Sequence, residues 1–164
     1  MGYIEYGKQW LSPREAIQIA EGALLAGISR ETRDHLRQNR LWVEDMALGP
    51  EAIYGINTGF GPLCDTRITA EQTHQLQHNL LISHAVGVGP ALDPFLVRLM
   101  MLSKVHALCK GYSGVRPQLV DRIVYLLDEG LYPVVPIQGS VGASGDLAPL
   151  SHLFLPHLLL VLRR

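Results

Sequence analysis

Residues 93–111 read Asp93-Pro94-Phe95-Leu96-Val97-Arg98-Leu99-Met100-Met101-Leu102-Ser103-Lys104-Val105-His106-Ala107-Leu108-Cys109-Lys110-Gly111. An aspartate followed by proline is a helix start: the carboxylate accepts an orphan backbone N–H, and proline fits the first turn, where its missing N–H is not needed. Gly111 supplies the stop. Between them Phe95, Leu96, Val97, Leu99, Met100, Met101, Leu102, Val105 and Leu108 leave almost no polar face. A helix that is apolar nearly all round must be surrounded by other helices. The predicted class is therefore mainly α, with this helix over 94–110.

The flanking sequence supplies those neighbours. Ser12-Pro13-Arg14-Glu15 is a capping box with proline at the first helical position, and Ala16, Ile17, Ala20, Ala23 and Leu24 recur at helical spacing up to Gly27, giving a helix over 13–26. Ser29 can cap a more polar helix over 30–46, which stops before Gly49-Pro50. Thr69-Ala70-Glu71-Gln72 is a second capping box and opens a helix over 70–84, broken by Gly87, Gly89 and Pro90. Leu119, Val120, Ile123, Val124, Leu126 and Leu127 mark a helix over 117–129, and Leu147 begins one over 147–162. Tyr132-Pro133-Val134-Val135-Pro136 is expected to be extended, since each proline pushes its predecessor out of the helical region.

The chain has 164 residues, the size of one ordinary domain, and a single unit over 1–164 is expected. It is 48% apolar and 18% charged, a balance that excludes a disordered chain. Fourteen basic against fifteen acidic residues give a net charge of −1, which argues against a nucleic-acid partner. Two cysteines, Cys64 and Cys109, cannot build a disulfide framework, and the N-terminal residues lack the pattern of a secretory signal. The longest apolar run, Leu153 to Leu162, is too short to span a bilayer, which takes about twenty residues. No membrane partner and a cytoplasmic location are expected.

Two segments contain more glycine than ordinary turns need: Tyr54-Gly55-Ile56-Asn57-Thr58-Gly59-Phe60-Gly61, and Gly139-Ser140-Val141-Gly142-Ala143-Ser144-Gly145-Asp146-Leu147-Ala148-Pro149. Neither is a phosphate-binding loop, because no lysine follows the glycines. Neither is a nucleophile elbow, because Ser144 is followed by Gly145 and Asp146. His74 and His78 have the i, i+4 spacing of a zinc helix, but Gln75 stands where a general-base glutamate is needed. Two polar residues on a solvated face is the plainer account, and no metal is expected.

Ala143-Ser144-Gly145 has a chemistry of its own. Glycine has the least hindered amide nitrogen and can attack the carbonyl two residues back, which alanine presents with little bulk. The serine hydroxyl can leave as water. Ring closure with loss of two waters gives an imidazolone bearing an exocyclic methylidene, an electrophile that no standard side chain provides.

Together the two segments and Ser83-His84 resemble, in order and separation, the aromatic amino acid ammonia-lyases, and within them the histidine ammonia-lyases. The resemblance runs from about Tyr54 to about Pro156. It implies the N-terminal portion of the helical ammonia-lyase (aspartase/fumarase-like) fold, incomplete in this chain. It implies a carbon–nitrogen lyase that eliminates ammonia from L-histidine to give trans-urocanate, with a 4-methylidene-imidazol-5-one (MIO) formed without enzymes from Ala143, Ser144 and Gly145, and no external cofactor. By the same resemblance Tyr54 is the base for the β-proton, and Asn57, Gly61, Ser83 and His84 meet the substrate. Gly59 and Phe60 shape the loop, and Asp146 caps the last helix and positions the tripeptide. Ser-His at 83–84 is the pair that histidine lyases show; tyrosine lyases resemble His-Leu and plant-type phenylalanine lyases Phe-Leu. Tyrosine or phenylalanine lyases and MIO-dependent aminomutases are the alternatives. The resemblance also implies a small amino-acid substrate and a homo-oligomer, a tetramer in the full-length form.

From His157 onward the sequence resembles the family least, and family members are much longer, with active-site residues from later segments and several subunits. An incomplete chain that is inactive alone is therefore expected, and a non-catalytic fragment that only associates is the competing reading. Its support is the all-round apolar helix and the apolar terminal run, both of which ask for covering partners.

Overall fold

The computed structural model describes residues 2–161, which form six α-helices and four short strands. The fold is mainly helical, as the sequence predicts. The chain divides into two compact units, Met1–Asp45 with Asp93–Tyr132 and Met46–Leu92 with Pro133–Arg164.

In the first unit β1 (Tyr3–Glu5) pairs in parallel with β2 (Leu25–Gly27), Tyr3 opposite Leu25. Helix α1 (Pro13–Ala20) starts with the expected capping box, Glu15 N–H to Ser12 Oγ and Ser12 N–H to the Glu15 carboxylate. It ends six residues earlier than the sequence predicts. Gly22, not Gly27, takes the left-handed conformation (φ 78°), and the N–H groups of Ala23 and Leu24 turn back to the Gln18 carbonyl. Leu25 to Gly27 are then free to pair with β1, a long-range contact that the local helical spacing could not reveal.

Helix α2 (Arg30–Leu48) begins as expected beside Ser29, whose hydroxyl oxygen accepts the Thr32 N–H at 3.1 Å. After α3, described below, α4 (Pro94–Leu108) begins at Asp93, whose carboxylate accepts the Phe95 N–H at 2.8 Å. α4 packs against α1 and against α5 (Pro117–Asp128). Val97, Met101, Leu102 and Val105 are at most 1% exposed, whereas Phe95 and Leu96 remain 38% and 47% exposed. The predicted enclosure of α4 is thus complete on one face only. Burial of each such side chain contributes about 1.5–3 kcal/mol.

In the second unit α3 (Ala70–His84) spans the predicted residues, and its capping box joins Thr69 and Gln72. It packs against α6 (Leu147–Val161), which contains Pro156. The predicted end of this helix, Leu162, lies outside the described residues. β3 (Val88–Ala91) pairs antiparallel with β4 (Pro136–Gln138), Val88 opposite Gln138 and Ala91 opposite Pro136. The extended stretch expected at 132–136 thus leads into a strand that the sequence did not reveal. Val135, Ala148, Ser151 and Leu153 are buried in this unit. Among the described residues, no helix is long and apolar enough to cross a membrane.

Candidate active site

All the candidate site residues fall in the second unit. Tyr54 lies in a turn, 63% exposed, with its ring edge-on to Phe60 at a centroid distance of 5.5 Å. Phe60 leads into a 3-10 turn, Gly61–Leu63, while Gly59 is buried. The loop is held from within by Asn57, which is only 3% exposed. Its carbonyl oxygen accepts the Ile53 N–H at 2.7 Å, and its amide nitrogen donates to the carbonyls of Glu51 at 2.9 Å and Ala47 at 3.4 Å. Those bonds use both amide hydrogens on backbone, so Asn57 fixes the shape of the loop around Tyr54. Backbone bonds from Gly59 N–H to Thr66 and from Ile68 N–H to Asn57 tie the same loop to the following segment.

The second glycine-rich segment runs from β4 into α6. Gly142–Ser144 form a 3-10 turn, followed by Gly145 in the left-handed conformation (φ 85°) and by Asp146 at φ 57°. The Ser144 hydroxyl donates to the Val141 carbonyl at 2.9 Å, and Ser144 N–H reaches the same oxygen at 3.0 Å. Asp146 stands at the head of α6, where its carbonyl accepts the Leu150 N–H at 3.2 Å. Its carboxylate accepts the hydroxyl of Ser140, a partner that the sequence did not single out. Ala143, Ser144 and Gly145 are exposed, and no atom lies within 4 Å of a Cβ placed on Gly142 or Gly145. A folded-back, sterically open turn of this kind suits attack by the Gly145 nitrogen on the Ala143 carbonyl carbon; an extended strand would hold the two apart.

Ser83 and His84 end α3. His84 Nδ1 lies 2.9 Å from the Leu80 carbonyl oxygen and 3.1 Å from Ser83 Oγ. A carbonyl can only accept, so Nδ1 carries a proton, and in the neutral form of such a ring Nε2 is the acceptor. Three residues later the chain passes very close to the other segment. A Cβ on Gly139 (φ 128°) would sit 3.0 Å from the Gly87 Cα, so a side chain there would push the two passages apart, and the positive φ favours glycine as well. The structure therefore brings the Ser83-His84 end of α3 beside the strand that leads into Ala143-Ser144-Gly145. Tyr54 has its ring partner in Phe60, and among the described residues no hydrogen bond ties it to 139–146.

Among the described residues no group of three His, Cys, Asp or Glu side chains is placed to hold a metal. His78 Nδ1 is buried without a hydrogen-bond partner, and His74 is exposed. Burial pushes the Cys109 thiol up to about 12, so it is not a thiolate nucleophile near neutral pH.

The sequence matches the family described as "Aromatic amino acid lyase" over residues 11–158. The probable histidine ammonia-lyase of Halobacterium salinarum is 46% identical over 143 residues, which cover 87% of this chain and 27% of that protein. Among solved structures, the histidine ammonia-lyase of Trypanosoma cruzi superposes with a TM-score of 0.80 at 35% identity, covering 94% of this chain and 29% of that one. The tyrosine aminomutase of Streptomyces globisporus gives 0.82 at 32% identity, covering 91% and 28%. The chain thus spans about a quarter of the length of the relatives it matches.

Proposed function

The chain belongs to the aromatic amino acid lyase family, and on that footing we propose that its chemistry is the non-oxidative elimination of ammonia from L-histidine to give trans-urocanate. The observation that carries the substrate assignment is the Ser83-His84 pair. With Nδ1 committed to Leu80, His84 offers Nε2 to an N–H donor, and the histidine imidazole brings one. Phenylalanine has no such donor.

Ala143, Ser144 and Gly145 would form the MIO. The Gly145 nitrogen bonds to the Ala143 carbonyl carbon, whose oxygen leaves as water, and Ser144 loses its hydroxyl as a second water. When present, the group supplies an electrophilic methylidene carbon to the substrate. Tyr54 would accept the substrate β-proton on its phenolic oxygen. Asn57, Gly59, Phe60 and Gly61 hold the loop that presents Tyr54. Ser140 engages the Asp146 carboxylate at the head of α6 and so braces the turn.

The exposure of Tyr54 and of the tripeptide bears on the assembly. A reaction that depends on a strong electrophile needs bulk water kept out. Further helices and subunits covering these residues would do that, which supports a homo-oligomer, a tetramer in the full-length form, with residues 1–164 as its N-terminal, MIO-bearing part. A cytoplasmic location and a small amino acid as the only other partner complete the reading. The 164-residue chain by itself is then inactive. An aminomutase is the second reading, favoured by the likeness to the Streptomyces globisporus structure. The deciding experiment is intact mass together with product analysis. A deficit of about 36 Da shows the two lost waters, and an active enzyme carrying this segment should release ammonia and urocanate rather than a β-amino acid.

A further inference from the structure

We propose that His152 is a positioning residue, whose imidazole sets where the Ser83-His84 end of α3 lies against the head of α6. The inference rests on the functional reading above for its consequence, but its geometry stands alone. Gly87 N–H donates to His152 Nε2 at 3.0 Å across 65 residues of sequence. Nε2 is therefore the acceptor, and the neutral ring has its proton on Nδ1.

The place of this bond gives it leverage. Gly87 follows His84 by three residues, and His152 follows Ser144 by eight. A Cβ on Gly87 would meet His152 Nε2 at 3.1 Å and the Gln138 carbonyl at 3.2 Å, and one on Gly139 would meet Gly87 Cα at 3.0 Å. Three passages of chain thus converge at one point, and His152 is the side chain that joins two of them by a hydrogen bond. The bond acts on the segment carrying the substrate-selecting imidazole from the helix that follows the electrophile. Without the acceptor, the half-buried Gly87 N–H loses its partner, and the exit of α3 can shift relative to Ala143-Ser144-Gly145.

The test uses NMR on the 164-residue chain with His152→Gln, which keeps an acceptor at similar reach, and His152→Leu, which has none. In the unsubstituted chain His152 should show the Nδ1–H tautomer. His152→Leu should lower the exchange protection of the Gly87 amide about tenfold and shift the His84 ring and Ala143–Gly145 signals. His152→Gln should restore both. An Nε2–H tautomer, unmoved His84 signals in His152→Leu, or a His152→Gln spectrum like that of His152→Leu would each overturn the proposal. Should His152→Leu fail to fold, the tautomer and the His152→Gln spectrum decide. Intact mass of the unsubstituted chain separates the two claims: no deficit of about 36 Da counts against the electrophile, while the His152 readouts still judge the bridge.

Discussion

His84 turns its Nδ1 toward the carbonyl oxygen of Leu80, one helical turn earlier, at 2.9 Å. The imidazole thus places an N–H on a backbone oxygen of its own helix, which fixes its tautomer. The nitrogen left to meet a ligand is Nε2. In an active enzyme carrying this segment, His84→Leu should lower kcat/KM for histidine about a hundredfold, chiefly through KM. Steady-state kinetics check this, and an unchanged KM would remove His84 from the substrate site.

Ser144→Ala should leave the polypeptide at its full sequence mass, since no hydroxyl remains to depart. The deficit of about 36 Da and the near-ultraviolet band of the conjugated imidazolone should both vanish, with activity down by several orders of magnitude. Retained turnover in Ser144→Ala would refute the electrophile.

The 164-residue chain alone should not convert L-histidine. Tyr54 is 63% exposed and the tripeptide lies open to water. Arg67, one cation that could clamp a carboxylate, has its guanidinium on the Leu48 carbonyl at 3.4 Å. Loss of substrate positioning can raise a barrier by about 7–11 kcal/mol at the extreme. Following urocanate formation spectrophotometrically tests this, and robust turnover would show that these residues suffice.

Asn57→Ala should destabilise the Tyr54 loop by about 1–3 kcal/mol, because a buried acceptor and two donors to backbone are lost together. Limited proteolysis should cut within 51–68 faster than in the unsubstituted chain. Equal cutting rates would mean that the loop is held by its backbone bonds alone.

Stability should fall on mild acidification because of His106. Its Nδ1 accepts the Gly7 N–H at 3.3 Å, and burial, helped by nearby Lys110, holds its pKa below the ordinary value. The unfolded chain takes up this proton more readily than the folded one, so stability is present above about pH 6.5 and is lost as the pH falls below it. Glu5 and Glu15, held low by hydrogen bonds with Ser29 and Ser12 respectively, act in a more acidic window. The urea midpoint should be lower at pH 5.5 than at 7.5, and the gap should shrink in His106→Gln. An undiminished gap would place the proton uptake elsewhere.

What the sequence determined by itself was local. The starts of α1, α3 and α4 were legible because Ser12, Thr69 and Asp93 cap N–H groups two or three residues away, a geometry that needs no tertiary partner. The family was legible too, because residues 54–61, Ser83-His84 and residues 139–149 carry its resemblance in the order of the chain itself. Tertiary structure decided the rest. It ended α1 at Ala20, since β1 offers Leu25–Gly27 a strand partner that a helical stripe cannot anticipate. It turned Asn57 inward, since the carbonyls of Ala47 and Glu51 meet only when the loop closes. It gave His152 a hydrogen-bond partner, Gly87, that stands 65 residues away. Bonds of that reach form only after chain entropy has been overcome by packing elsewhere, so their partners are chosen by the fold and not by neighbouring residues.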